Sequence, residues 1–364
     1  MQHFGRHTRL ILISLISAST AALMADHTAL AGPSDTVTSV TASPTKPNAS
    51  PWMQKLSGSS AELGTYVGSG TFYTSGYSDP YWSTSLYLRP NYDLGTRFKL
   101  SLSARFYFEE EFTKPDNPVG RHFYPYDGWL SLAAKKLAQI QPAKLTLGGL
   151  VRFTLPISYE SRYAHLVTAV TVGPSLSGEI DFGKNPEPAR RFRFTFTGIA
   201  QFTKYLRTSD FRGIGSGDTT GCRNVVNAGA VGSGSDGPTV AASDHCGGPV
   251  NASFGVRSAV IAALSRGKWS LGVTLLVDNT FLYDVPPDQF TSPFAINRGR
   301  EDTTWGIVGL TYDINDHFAG NIGVSSLQPA LDSESRNLRF PFFDFSGPNA
   351  NNFTQAFVSL TGTL

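Results

Sequence analysis

Past the N-terminal stretch, the sequence has no run of about 18 apolar residues, the length that a membrane-crossing helix requires, which argues against a helical membrane protein. Cysteine is nearly absent: Cys222 and Cys246 are the two in 364 residues. That is too few for a zinc centre, which usually takes four ligands. An excess of one charge sign is also lacking: 30 Lys and Arg against 28 Asp and Glu give a formal net charge of +2. Removing residues 1–31 would take Arg6, Arg9 and Asp26, two cations and one anion, and leave +1. Bulk charge therefore points to no nucleic acid or other polyanion as partner. Chemistry-bearing motifs are missing too. The Gly213-Ile214-Gly215-Ser216-Gly217 run lacks the strand-to-helix context of a phosphate loop. Asp210, Asp218 and Asp236 do not have EF-hand spacing. Nothing in the sequence implies a cofactor.

What is present is alternation. From Trp82 to Tyr92 the even positions are Trp82, Thr84, Leu86, Leu88, Pro90 and Tyr92, and the odd ones Ser83, Ser85, Tyr87, Arg89 and Asn91. After a short turn at Asp93–Thr96 the pattern resumes, with Phe98, Leu100, Leu102, Ala104, Phe106 and Phe108 on one face and Arg97, Lys99, Ser101, Ser103, Arg105, Tyr107 and Glu109 on the other. Alternate side chains of a strand point to opposite faces. A strand crossing a bilayer needs about 9–11 residues, which both segments supply. The pair reads as a transmembrane hairpin with its apolar face to lipid and its charged face to a lumen.

The N-terminus carries Arg6 and Arg9, an apolar stretch from Leu10 to Leu23, and Ala29-Leu30-Ala31 before Gly32. These features predict a signal peptide over 1–31, with cleavage after Ala25 as the alternative. Residues 32–60 are rich in Pro, Ser and Thr and read as a flexible periplasmic lead-in without a core. The remainder, 61–364, reads as one all-β unit. Its strands are expected at 62–73, 82–92, 98–108, 126–136, 144–156, 162–182, 191–205, 252–264 and 268–283, then a pair meeting at Asn315-Asp316, and finally 353–364. Connections alternate between short and long, the longest running from Leu206 to Val250. Short turns on the side of both termini require an even count. The expected fold is a transmembrane antiparallel up-and-down β-barrel of twelve strands, with ten or fourteen as the alternatives.

The last strand resembles the C-terminal assembly signal of Gram-negative outer-membrane proteins. Ala356, Val358, Leu360 and Leu364 keep its alternation, although Leu364 stands where that signal usually has an aromatic residue and Gly362 interrupts the stripe. The resemblance is to a porin-like architecture and selects no family within it. It implies insertion in the bacterial outer membrane, with the barrel-assembly machinery, outer-membrane lipids and lipopolysaccharide as partners.

In this register the inward face carries Arg89, Arg97, Lys99, Arg105, Arg152, Arg191, Arg193, Arg257 and Lys268, against Glu109, Glu179, Asp181 and Asp278. Rings of like charge bias a pore towards counter-ions. The candidate pore-lining residues are Arg89, Arg105, Arg152, Arg193, Arg257, Glu109, Glu179 and Asp278. They suggest a channel for small, anionic solutes, and an arginine-rich lumen argues against uptake of hydrophobic compounds. The alternative is a plugged barrel whose arginines and acids form a structural network, acting as a lipid-modifying enzyme or a surface structural or adhesion protein. The best candidate base for an enzyme is His165, expected to face inward on a strand near Ser161 and Glu160, but no H-x-S or G-x-S-x-G context accompanies it. Cys222 and Cys246, both in the longest loop of an exported chain, are expected to form a disulfide, holding that loop over the pore or protecting it from proteolysis.

Overall fold

The computed structural model describes residues 51–68, 71, 81–95, 97–113, 122–141, 143–182, 191–209, 251–284, 300–329, 342 and 353–364. The signal-peptide segment and the cysteine-bearing loop lie outside these residues. Among the described residues there are fourteen strand segments: β1 (Ser60–Gly68), β2 (Trp82–Arg89), β3 (Asn91–Asp93), β4 (Leu100–Glu111), β5 (Phe123–Pro125), β6 (Gly128–Ile140), β7 (Leu145–Leu155), β8 (Leu166–Phe182), β9 (Phe192–Arg207), β10 (Ala252–Arg266), β11 (Trp269–Leu282), β12 (Arg300–Asp313), β13 (Phe318–Pro329) and β14 (Phe353–Thr363).

They make twelve staves. β2 and β3 both pair with β4 and are one stave interrupted at Pro90. Proline has no amide hydrogen to give a ladder, but its carbonyl still accepts from the Ala104 amide at 3.0 Å. β5 and β6 likewise share β4 as neighbour. β1 pairs antiparallel with both β2 and β14, so the sheet closes on itself. Closure leaves no edge strand, which is what lets a sheet sit in hydrocarbon with its backbone groups satisfied.

The outer surface is apolar. Val260, Ile322 and Val358 expose 55, 56 and 58% of their surface, and Leu63, Leu132, Val172, Phe202 and Leu271 are also exposed. A continuous belt of this kind is not compatible with water. The twelve residues of β4, at about 3.3 Å per residue and a tilt of about 45°, span roughly 28 Å, which matches the apolar band of membrane barrels. Aromatic pairs mark both ends of the belt. Trp82 packs on Phe112 at 5.2 Å and Phe108 on Phe123 at 6.1 Å at the long-connection end, and Trp269 packs on Tyr312 at 4.6 Å at the short-turn end. Lysine at Val260 is expected to lower barrel stability by about 2–4 kcal/mol, the cost of a cation near the bilayer midplane. Urea unfolding in liposomes measures this, and lysine at the inward neighbour Ile261 should cost less.

The short turns follow from local chemistry. Arg266 pairs with Trp269, leaving a two-residue turn in which Gly267 takes φ 58°. Between β12 and β13, Asn315 Oδ1 accepts the amides of His317 at 2.8 Å and Phe318 at 3.0 Å.

Several boundaries differ from the sequence expectation. The first strand is Ser60–Gly68 rather than 62–73. Residues Pro51–Lys55 of the lead-in form a helix at the short-turn rim, where Lys55 Nζ sits 5.6 Å from the Tyr92 ring. Asn91 Nδ2 donates to the Ser57 carbonyl at 2.9 Å beside it. The third stave starts at Leu100, so Arg97 and Lys99 precede it, Lys99 with φ 50° and Arg97 stacked on Phe98. Lys268 occupies the turn and donates to the Ile314 carbonyl at 3.0 Å, and Arg191 precedes β9. Leu166 was expected to face lipid, but a register shift between Leu166 and Thr168 turns it to the lumen and leaves Val167 outside, 55% exposed.

Candidate lumen site

The interior is asymmetric. Inward side chains of β1, β2, β4 and β12–β14 fill their half of the lumen. Tyr66 meets Phe357 at 5.8 Å between ring centroids, and both pack with Trp305 and Ile307. Tyr87 lies edge-on to Tyr107 at 6.5 Å. The half bounded by β7–β11 keeps open space.

That space includes a cavity of about 120 Å³, walled by Arg105, Arg152 and Arg257 and by Trp129, Gln201 and Asp278. Each guanidinium is placed by strand parity: Arg105 on β4, Arg152 on β7 and Arg257 on β10 all face inward. Trp129 on β6 holds two of them. The Arg152 guanidinium carbon lies 3.7 Å from its ring centroid and that of Arg105 lies 5.1 Å away. Arg105 also lies 4.6 Å from the Tyr87 ring and is only 2% exposed. A guanidinium is weakly hydrated and stacks on aromatic faces, so the Trp129 and Tyr87 rings help to seat these two cations. Arg152 Nε donates to Ser131 Oγ at 3.3 Å, and among the described residues Arg152 makes no ion pair. Arg257 is held differently, by a two-point pair with Asp278 at 2.8 and 2.5 Å.

At the long-connection end the chemistry changes sign. Glu109 accepts the hydroxyls of Tyr126 at 2.9 Å and Tyr107 at 3.2 Å. Glu111 accepts from Thr113 at 2.9 Å and Tyr124 at 3.2 Å. Asp127 and Glu160 also border the cavity on this side. Asp127 accepts the Ser158 amide at 2.9 Å and the Ser161 hydroxyl, and Ser158 in turn caps the helical turn Tyr159–Tyr163.

The eight candidate pore residues all sit on inward positions, but they do not form one ring. Arg105, Arg152, Arg257 and Asp278 share the cavity. Continuing the pairing of Leu88 with Phe106 sets Arg89 opposite Arg105. Arg193 lies near the short turns, 3.2 Å from Glu179 and 3.3 Å from Asp181, with half of each side chain exposed. Glu109 lies at the opposite end. The acids are more numerous than the sequence expectation held, since Glu62 and Glu111 also occupy inward positions. Basic character is therefore local to the middle of the lumen.

The expected base is corrected more sharply. Residues 159–163 are helical and β8 begins only at Leu166, so His165 is not on a strand. It is exposed, has φ 52°, and is absent from the cavity wall. The Ser161 hydroxyl is engaged by Asp127. Trp129 and Tyr87 were the site residues that sequence reasoning passed over. Parity already placed them inward opposite the lipid-facing Leu130 and Leu86, but no rule of alternation says that a ring will lie under a guanidinium.

A closed barrel with an apolar belt, aromatic ends and a polar, partly open interior defines an outer-membrane β-barrel protein. No family model matches the sequence, and no curated protein matches it. Among solved structures, the chain is similar to the COG4313 outer-membrane channel of Pseudomonas putida F1, at 12% identity over 88% of this chain and 99% of that one, with a TM-score of 0.46. It is similar to the NanC porin at 8% identity over 84% and 100%, TM-score 0.40. It is also similar to the outer-membrane phospholipase A of Escherichia coli, at 11% identity over 84% and 97%, TM-score 0.31.

Proposed function

We propose that the protein is an outer-membrane channel for small anionic solutes, with its selectivity set at the level of Arg105, Arg152 and Arg257. The observation that carries this reading is the cavity that these three guanidiniums wall in the unfilled half of the lumen. A narrow passage strips part of a solute's hydration shell, and fixed donors of the right sign replace it. Arginine is suited to carboxylate and phosphate because its planar fork makes two parallel hydrogen bonds. Short turns face the periplasm in bacterial barrels, and here they share an end with β1's start and β14's finish. The reading therefore carries a cleaved leader over 1–31, periplasmic termini, insertion by the barrel-assembly machinery among lipopolysaccharide, and a Cys222–Cys246 disulfide in an outer loop.

Single-channel recording of the refolded mature protein in a planar bilayer, under a potassium chloride gradient, tests the proposal. The expected result is stable openings with a reversal potential displaced towards chloride. Cation preference, or a correctly folded barrel without current, overturns it. Asp278→Asn adds a sharper check. It removes one negative charge while the amide Oδ1 can still accept from the Arg257 guanidinium, so anion preference should rise by roughly the few-fold factor that one unit charge is worth at this range.

A further inference from the structure

The cavity that the three guanidiniums wall carries both signs of charge, since Asp127, Glu160 and Asp278 border it as well. Two of these acids are engaged. Asp278 holds Arg257, and Asp127 accepts the Ser158 amide and the Ser161 hydroxyl. Glu160 is exposed, and among the described residues its side chain makes no hydrogen bond or ion pair. Its counterpart among the cations is Arg152, which is seated on the Trp129 ring and bonded to Ser131. One cavity thus presents a cation and an anion that no described residue pairs. Glu160 is also fixed in place. It lies in the first turn of the Tyr159–Tyr163 helix, where Ser158 Oγ accepts the Ser161 amide at 3.0 Å. Asp127, just before β6, ties that start down at 2.9 Å. At the other end the Ala164 carbonyl accepts from Arg207 Nη1 on β9 at 2.8 Å and from Asn251 Nδ2, just before β10, at 3.0 Å. The chain runs from Arg152 through inward Thr154 to the end of β7 and on to Glu160. The anion therefore stands towards the long-connection mouth and the cation deeper in the lumen.

We infer that the solutes this cavity favours are amino acids, acidic ones foremost, with a carboxylate on Arg152 and the ammonium group on Glu160. The inference rests on the channel reading and names its substrate class. A guanidinium offers a carboxylate two parallel N–H donors. An ammonium group has three donors and no acceptor, so a carboxylate such as Glu160 is its natural partner. A plain carboxylate uses the arginine but leaves Glu160 facing it as a like charge. A plain amine finds Glu160 but lies among three guanidiniums. An amino acid answers both charges at once. An acidic amino acid also keeps the net negative charge that the channel reading requires, and its second carboxylate stays in the field of Arg105 and Arg257.

The test uses the refolded mature barrel in planar bilayers carrying chloride current at neutral pH, with glutamate, glutarate, β-alanine and propionate as added probes. The members of each pair differ by one ammonium group. Glutamate is expected to interrupt the current at concentrations at least about ten-fold below glutarate, and β-alanine likewise below propionate, the scale of one hydrogen bond between charged groups. Net charge alone predicts the opposite order, because each amino acid is the less negative of its pair. Glu160→Gln should bring the members of each pair together. That side chain is exposed and holds no described neighbour, so the variant should fold, and the wild-type comparison stands without it. Anion preference with glutamate no better than glutarate overturns the inference and leaves the channel reading standing. A difference that persists in Glu160→Gln overturns it too. A silent or cation-preferring barrel overturns the channel reading instead. In that case titration of tryptophan fluorescence in nanodiscs decides the inference, since Trp129 lines the same cavity. A ten-fold stronger response to glutamate than to glutarate upholds the site, and equal responses, or none, reject it.

Discussion

Replacing Arg152 by glutamine is expected to cut the anion-to-cation permeability ratio by about five-fold, the effect of removing one unit charge worth about 1 kcal/mol at the short range and intermediate dielectric of a narrow lumen. Arg152 is the informative choice among the three arginines. Its guanidinium is held by the Trp129 ring and by one hydrogen bond to Ser131. Glutamine keeps a polar side chain in that space and disrupts no ion pair. Arg257 is a poorer probe, because its loss strands Asp278, and breaking a partly buried pair destabilises the fold as well as changing the field. Arg193→Glu, at the short-turn end, should move the reversal potential little. Its charge is half-exposed and already faces Glu179 and Asp181, so water and two carboxylates screen it. The measurement is the reversal potential of each variant in the same gradient. Equal effects of Arg152→Gln and Arg193→Glu would sink the assignment of selectivity to the middle cavity.

Valine at Gly323 is expected to prevent the barrel from closing. Gly323 stands opposite Phe357 on β14, next to the seam where β14 meets β1. A Cβ there would collide with the Val308 carbonyl oxygen and lie 2.6 Å from Phe357 Cζ and 2.9 Å from the Gly309 Cα. Two of those three atoms belong to backbone, so no rotamer change relieves the clash. Overpacking typically costs 1–3 kcal/mol even where side chains can yield, and the cost is larger where strands must separate. On a cold-sample gel the folded wild type should run apart from its heated form, and Gly323→Val should give only the unfolded position. Gly320→Ala on the same strand is the control. The nearest atom to its Cβ is 4.0 Å away, so that variant should fold normally.

The rows around these two positions show where the reading of a linear sequence stops. Trp82 to Tyr92 and Phe98 to Phe108 were legible as a membrane hairpin because alternation is a local property, written in consecutive residues and enforced by a face that must meet lipid. The same alternation put Arg105, Arg152 and Arg257 in the lumen. It failed at His165 and Leu166, where a helical turn capped by Ser158 and a one-residue register shift reset the parity. A bulge leaves no mark in hydrophobic periodicity until the neighbouring strand is known. The balance of inward charge was misjudged for a related reason: Glu62 lies on a strand whose alternation is weak, and Glu111 lies beyond the point where the apolar stripe ends.

Membrane insertion, the even strand count and the inward positions of Arg105, Arg152 and Arg257 were determined by the sequence alone, since alternation along a strand and the lengths of connections are local properties; Arg97 and Arg191, also expected inward, precede their strands. Tertiary structure decided everything that depends on strands far apart in the chain. It brought Trp129 under Arg105 and Arg152, set Glu160 on the wall of their cavity, and filled one half of the lumen with Tyr66, Tyr87, Tyr107 and Phe357 while leaving the other open. The physical reason is that a barrel's interior is built across hydrogen-bonded neighbours rather than along them. Register between strands, which no single strand encodes, therefore determines which charges share a cavity.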